Sequence, residues 1–96
     1  MELFKKENSN IGQSVFYIVA VKDELTGNFL QPTFGDNMDA LLRIFRTQIN
    51  SLPIWKDNPT DFSLYKLGTF NQETGQIYPE FEKITSGQSV RERSNE

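Results

Sequence analysis

Neither cysteine nor histidine occurs among the 96 residues, and these two absences remove more chemistry than any other feature of the composition. Without thiols there are no disulfides, no thiolate nucleophiles and no soft-metal sites. Without imidazole no side chain titrates near neutrality unaided. A reducing compartment is compatible with a cysteine-free chain but does not follow from it. Long apolar runs are missing too. The longest, Val15-Phe16-Tyr17-Ile18-Val19-Ala20-Val21, is strand length and falls well short of the roughly 20 apolar residues a membrane helix needs. It lies behind a polar start that includes Glu2 and Glu7, which is unlike a secretory signal. No membrane partner is expected. The six glycines are too scattered for a phosphate-binding loop.

Basic charge is not in excess. Ten Lys and Arg stand against 13 Asp and Glu, a net −3, where a strongly basic nucleic-acid binder would look different. Between Val15 and Phe70 the signs nearly balance. Lys22, Arg43, Arg46, Lys56 and Lys66 stand there against Asp23, Glu24, Asp36, Asp39, Asp57 and Asp61, which leaves room for a local basic face.

What the chain does have is one turn written twice. Asp23-Glu24-Leu25-Thr26-Gly27 and Asn71-Gln72-Glu73-Thr74-Gly75 match in type. An Asx side chain can bond its own following backbone, and glycine supplies positive φ without steric cost. Each copy therefore predicts a hairpin between antiparallel strands. Val15 to Lys22 is the first strand. Val15, Tyr17, Val19 and Val21 lie on one face and Phe16, Ile18 and Ala20 on the other, so both faces are apolar and both need covering. Asn28 to Phe34 is the second strand, placed at an edge by Pro32.

Asp36 as N-cap with Asp39 at the third helical position approximates a capping box for a helix from about Asn37 to Asn50 or Ser51. Met38, Leu41, Leu42, Phe45, Ile49 and Leu52 form its apolar stripe, while Arg43, Arg46, Thr47 and Asn50 face away. Pro53 ends the helix, and Ser51 to Asp61 reads as a loop. Phe62 to Phe70 is the third strand, with Phe62 and Leu64 on one face, Tyr65, Leu67 and Thr69 on the other, and Gly68 at a bulge or close packing point. Gln76 to about Phe81 is a short fourth strand. The expected fold is α+β of order β-β-α-β-β, a four-stranded antiparallel sheet with one amphipathic helix on a face. The expected organisation is a flexible arm over 1–14, a single domain over 15–81 and a polar, disordered tail over 82–96.

No catalytic constellation stands out. The pairs Asp57 with Asp61 and Asp36 with Asp39 are accounted for by turns and caps, and no base accompanies the hydroxyls. No cofactor or metal is called for. Arg43 and Arg46, three residues apart on the helix, are either a solvated face or phosphate contacts to which Lys22 and Lys66 could add. Phe16, Tyr17, Phe29, Tyr65 and Tyr78 lie on predicted strands, where rings can either stack bases or fill the core. Trp55 is either a plug for the open end of the sandwich or an interface anchor.

The order of residues in two stretches resembles a viral family. Gly27-Asn28-Phe29-Leu30-Gln31-Pro32-Thr33-Phe34, followed by Asn37 and a helix with Arg43 and Phe45, is one. Pro59-Thr60-Asp61-Phe62-Ser63-Leu64-Tyr65-Lys66-Leu67-Gly68-Thr69-Phe70, continuing through Thr74-Gly75, is the other. Together they span roughly Phe16 to Tyr78 and resemble the small nonstructural protein of tailless single-stranded DNA bacteriophages of the gokushovirus type, in the microvirus family. The resemblance implies a protein of the infected bacterial cytoplasm, absent from the mature particle, with a DNA-binding role in replication or packaging. It carries no catalytic residues. The acidic balance departs from the family's common pattern.

The expected function is thus a nonenzymatic single-stranded DNA-binding factor. Arg43, Arg46, Lys22 and Lys66 would contact phosphates, with Phe16 and Tyr65 as stacking surfaces. A homodimer through the sheet's second face or an edge strand is expected, with Val15, Tyr17, Val19 and Trp55 at the interface. The alternative is an adaptor that touches the phage replication-initiation protein or the assembling procapsid.

Overall fold

The computed structural model describes residues 15–92. The arm expected over 1–14, and residues 93–96 of the expected tail, lie outside the described residues. The β-branched and aromatic run forms β1 (Val15–Asp23), which ends at the first of the two repeated turns. There Asp23 Oδ1 accepts the N–H of Leu25 at 3.0 Å and of Thr26 at 3.4 Å, and Gly27, at φ +83°, donates its N–H to the Asp23 carbonyl at 2.7 Å. The second turn repeats each contact. Asn71 Oδ1 accepts from Glu73 at 2.9 Å and Thr74 at 3.2 Å, and Gly75, at φ +78°, donates to the Asn71 carbonyl at 2.7 Å. The repeat in sequence is a repeat of one hydrogen-bond circuit, closed by a residue type that accepts positive φ.

The chain returns along β1 as two short pieces, β2 (Asn28–Phe29) and β3 (Thr33–Gly35), both antiparallel to it. This corrects the single strand expected over Asn28–Phe34. The register slips between the Lys22↔Phe29 and Val19↔Thr33 pairs. Leu30 still donates its N–H to the Val21 carbonyl at 2.8 Å, and Pro32 falls in the gap before β3, where a missing donor costs no ladder bond.

The helix α1 (Met38–Ser51) is capped by Asn37, whose Oδ1 takes the Ala40 N–H at 3.1 Å. Asp36, expected as the cap, falls one residue too early, while Asp39 occupies the first turn and suits the dipole there. Leu41, Phe45 and Ile49 are its buried stripe. Leu52, expected in that stripe, is the C-cap and is exposed. Pro53 does not open a loop. It is the first residue of a short helix α2 (Pro53–Asp57), a position where its missing N–H has no partner to lose. A 3-10 turn over Pro59–Asp61 then leads into β4 (Phe62–Asn71).

β5 (Ile77–Ser86) is ten residues long and runs into α3 (Gly87–Val90). The polar tail expected from Glu82 is therefore strand and helix as far as the described residues extend. The alternation that looked like a tail is that of an edge strand whose acids have a partner, Lys66 Nζ, at 2.9 Å from Glu80 and 3.8 Å from Glu82. Gly87 sits where a Cβ would meet the Pro59 carbonyl oxygen and, at 2.6 Å, Ile49 Cδ1. No side chain fits there, so α3 can close against α1.

The sheet order is β2-β1-β4-β5, with β3 also paired to β1, and every pairing is antiparallel. Val19, Val21, Phe62 and Leu64 of the sheet meet Leu41, Phe45 and Ile49 of α1 in one core, where each fully buried large side chain is worth about 1.5–3 kcal/mol. The expected α+β fold with a helix on one sheet face is the fold observed. Among the described residues no helix is long and apolar enough to cross a membrane.

Candidate nucleic-acid interface

Only one face of this sheet is covered by α1. Directly opposed residues in an antiparallel ladder share a face, so the registers assign every strand side chain to the covered or the open side. Val19, Val21 and Leu64 are on the covered side with the core. Phe16, Ile18, Ala20 and Lys22 of β1 are on the open side, which the neighbouring strands extend. Phe29 lies opposite Lys22, Phe34 opposite Ile18, Tyr65 opposite Ala20 and Phe70 opposite Phe16. On β5, Ile77 opposes Phe70 and Lys83 opposes Tyr65. A slip in the β1–β4 register at Ile18/Val19 reverses the alternation within β4, so that Tyr65 and Phe70 share a face. Thr69, opposite Tyr17, goes to the covered side instead. This corrects the expected grouping of Tyr65 with Thr69, and the slip falls beside Gly68, the expected bulge. A Cβ at Gly68 would meet the Tyr78 carbonyl oxygen of the adjacent strand, so β5 approaches there because the side chain is absent.

At one end of the open face three rings pack together. Tyr65 and Phe81 stack at 5.1 Å and 25°, and Phe29 meets both edge-on, at 5.4 Å from Tyr65 and 5.9 Å from Phe81. Lys22 Nζ stands 5.8 Å from the Phe29 ring centre and 5.7 Å from that of Tyr65, within cation–π reach. Further along, Phe34 meets Phe70 edge-on at 6.3 Å. Ala20 and Ile18 are buried beneath, and the short Ala20 side chain leaves room for the ring of Tyr65 across from it. The outer residues face solvent: Phe29 is 39% exposed, Phe34 54%, Ile77 60% and Phe81 65%. Exposed apolar side chains gathered on one sheet face make it the candidate contact surface.

Charge is sorted by the same alternation. Glu80 and Glu82 turn to the covered side, where they hold Lys66. The Glu80 hydrogen bond raises the Lys66 pKa most, with the charges of Glu80, Glu82 and Tyr17 adding and burial opposing. Lys22 and Lys83 turn to the open side. Lys22 also lies 3.6 Å from Glu24 in the adjoining turn. An acidic protein thereby gains a sheet face whose strands contribute lysines and rings but no carboxylate.

The residues singled out from the sequence do not all meet here. Phe16, Tyr65 and Lys22 share the open face. Lys66 is on the covered side with Tyr17, whose ring centre is 5.9 Å away. Arg43 and Arg46 are exposed on α1, in the other layer of the molecule. Of the interface residues, Val19 is 2% exposed beneath α1, which corrects its expected place at a surface. Tyr17 packs beside the same core, and Trp55, half-buried, stacks on Phe62 at 4.7 Å and 13°. Val15 is half-buried at the start of β1. Phe81 and Lys83 are not among the sequence-predicted site residues: Phe81 ends the expected fourth strand, and Lys83 falls in the expected tail. Their spacing from Glu80 and Glu82 was the available signal.

Two further features lie on the helix side of the sheet. Asn50 Nδ2 donates to the Arg46 carbonyl at 2.8 Å and the Val90 carbonyl at 3.1 Å, while Asn50 Oδ1 accepts the Glu92 N–H at 2.7 Å. One amide thus ties the segment after β5 to α1. A groove of about 460 Å³ lies between α1 and the β2–β3 edge, with Leu30, Ile44 and Trp55 among its walls. Among the described residues no group of three or more metal-ligating side chains gathers.

Fold and site together define a small α+β protein that covers one sheet face with a helix and presents the other as an aromatic, lysine-bearing surface. The chain matches the Phage ORF5 protein family over residues 16–90 and belongs to it, which makes it a small phage-associated protein. No curated protein and no solved structure matches it.

Proposed function

We propose that this protein is a nonenzymatic phage nonstructural protein of the gokushovirus type that binds single-stranded DNA through the open face of its sheet during genome replication or packaging, in the cytoplasm of the infected bacterium. The observation that carries the reading is the sorting of charge. Lys22 and Lys83 share a face with Phe29, Tyr65 and Phe81, while the acids of β5 are turned to the other side. Rings stack on bases of any sequence, at about 1–3 kcal/mol per base, and lysines hold the phosphates. A duplex hides its bases, so the face favours unpaired strands.

Titration of a fluorescent oligothymidylate at low salt tests this. Replacing Lys22→Glu with Lys83→Glu abolishes binding on this reading, whereas Arg43→Glu with Arg46→Glu, on the far layer, leaves more than half of it. An absence of binding by the unaltered protein at low salt refutes it. An adaptor role toward the replication-initiation protein or the assembling procapsid has one observation in its favour, the apolar groove beside Ile44, which is 55% exposed. That role predicts partner binding sensitive to Ile44→Glu with no response to DNA.

A further inference from the structure

The open face carries two rows of apolar side chains, and they differ in charge. The first row is Phe29, Tyr65 and Phe81, with Lys22 and Lys83 among them. The second is Phe34, Phe16, Phe70 and Ile77, to which the strands bring no charged side chain. Lys22 and Phe16 are six residues apart on β1, roughly 20 Å at strand rise. Ile18 and Ala20, buried between them, form a continuous apolar floor.

Resting on the single-stranded DNA reading, we propose that one DNA strand runs along β1 from a phosphate-holding end to a base-only end. The first row grips phosphates through Lys22 and Lys83, and the second row takes bases without touching the backbone charge. A four-stranded sheet with one aromatic row stacks two or three bases, so two rows accommodate about four to six. Charge favours DNA over a second copy of this chain as the occupant. A copy laid face to face would bury Lys83 against rings, and the strands supply no carboxylate on that face to receive it.

Two consequences separate this track from a generic basic patch. With only two phosphates held, the logarithm of affinity falls with the logarithm of salt at a slope of about −1.4, shallow for a DNA-binding protein. Affinity also depends on bases well away from the lysines.

The test compares a six-residue oligothymidylate with a strand of the same length whose last three nucleotides, at either end, are abasic. The phosphates are identical, so only stacking differs. The full strand binds at least about fivefold more tightly than either abasic strand, following the lower limit for one stacked base. Phe34→Ala and Phe70→Ala weaken the full strand and leave the better-bound abasic one unchanged. The abasic comparison needs no variant and so survives any loss of folding. Equal affinities for full and abasic strands, with sensitivity to Lys22→Glu retained, overturn the two-row track and leave the binding reading standing. Absence of binding, together with a dimer in sedimentation that Phe34→Ala disperses, overturns both and assigns the face to a second copy.

Discussion

Replacing Asn50 by alanine isolates the contact that holds the end of the described chain. The side chain makes two tertiary bonds, 3.1 Å to the Val90 carbonyl and 2.7 Å from the Glu92 N–H, besides the local bond to Arg46. A net contribution of about 0.5–1.5 kcal/mol per bond makes Asn50→Ala destabilising by about 1–3 kcal/mol, felt first in α3. Part of α3 stays docked through the tight seat of Gly87 on Ile49, so the loss is local before it is global. Native-state amide exchange reads this residue by residue. Glu92 loses its acceptor, and its exchange accelerates roughly 5- to 150-fold, while the amides of β1 keep their protection. Asn50→Asp retains an oxygen for the Glu92 N–H but turns a second oxygen toward the Val90 carbonyl, so it protects Glu92 better than alanine does and still lowers the urea midpoint. Unchanged Glu92 exchange in Asn50→Ala would refute the clamp.

Phe45, 1% exposed at the centre of the core, costs about 3–5 kcal/mol when cut to alanine, seen as a large fall in urea midpoint. Arg43→Ala and Arg46→Ala stay within about 0.5 kcal/mol of the parent in the same assay. Gly27→Ala and Gly75→Ala each cost about 1–2 kcal/mol from backbone conformation alone, since nothing lies within 4 Å of an added Cβ at either position. Folding raises the Lys66 pKa through Glu80, so the protonated form is favoured in the native state. That stabilisation is complete below the unfolded value near 10.5 and disappears as pH climbs through the folded one. The stability gap between the parent and Lys66→Met is therefore constant from pH 7 to 10 and narrows only above that, in paired denaturation curves.

The features legible in the sequence were those set by neighbours along the chain. Both turns could be read because Asp23, Gly27, Asn71 and Gly75 bond within their own five residues, and α1 because its stripe repeats on one element. The N-cap moved from Asp36 to Asn37 because both side chains can cap, and only the position of the first helical turn decides between them. Which face of β1 the helix covers was not legible. Both faces are apolar, so the pattern alone places Val19 as readily at a surface as in the core beside Phe45, where it lies. The course of β5 was hidden for the opposite reason. Glu82 looks like the start of a tail until Lys66, more than a dozen positions earlier, is placed beside it and Glu80 by the β4–β5 register. The open aromatic face follows from these two non-local facts. Phe16, Tyr65 and Lys22 were identifiable singly, but their company with Phe29, Phe81 and Lys83 depends on register slips that no local pattern encodes.

On the proposed function, a DNA strand meets the sheet's uncovered face and leaves the helix untouched. Backbone amide shifts recorded while a six-residue oligothymidylate is titrated into the protein test it most directly. Binding at the open face clusters the shifts at Lys22, Phe29, Tyr65, Phe81 and Lys83 and leaves Arg43 and Arg46 quiet. Shifts centred on α1, or none at saturating strand in low salt, would contradict it.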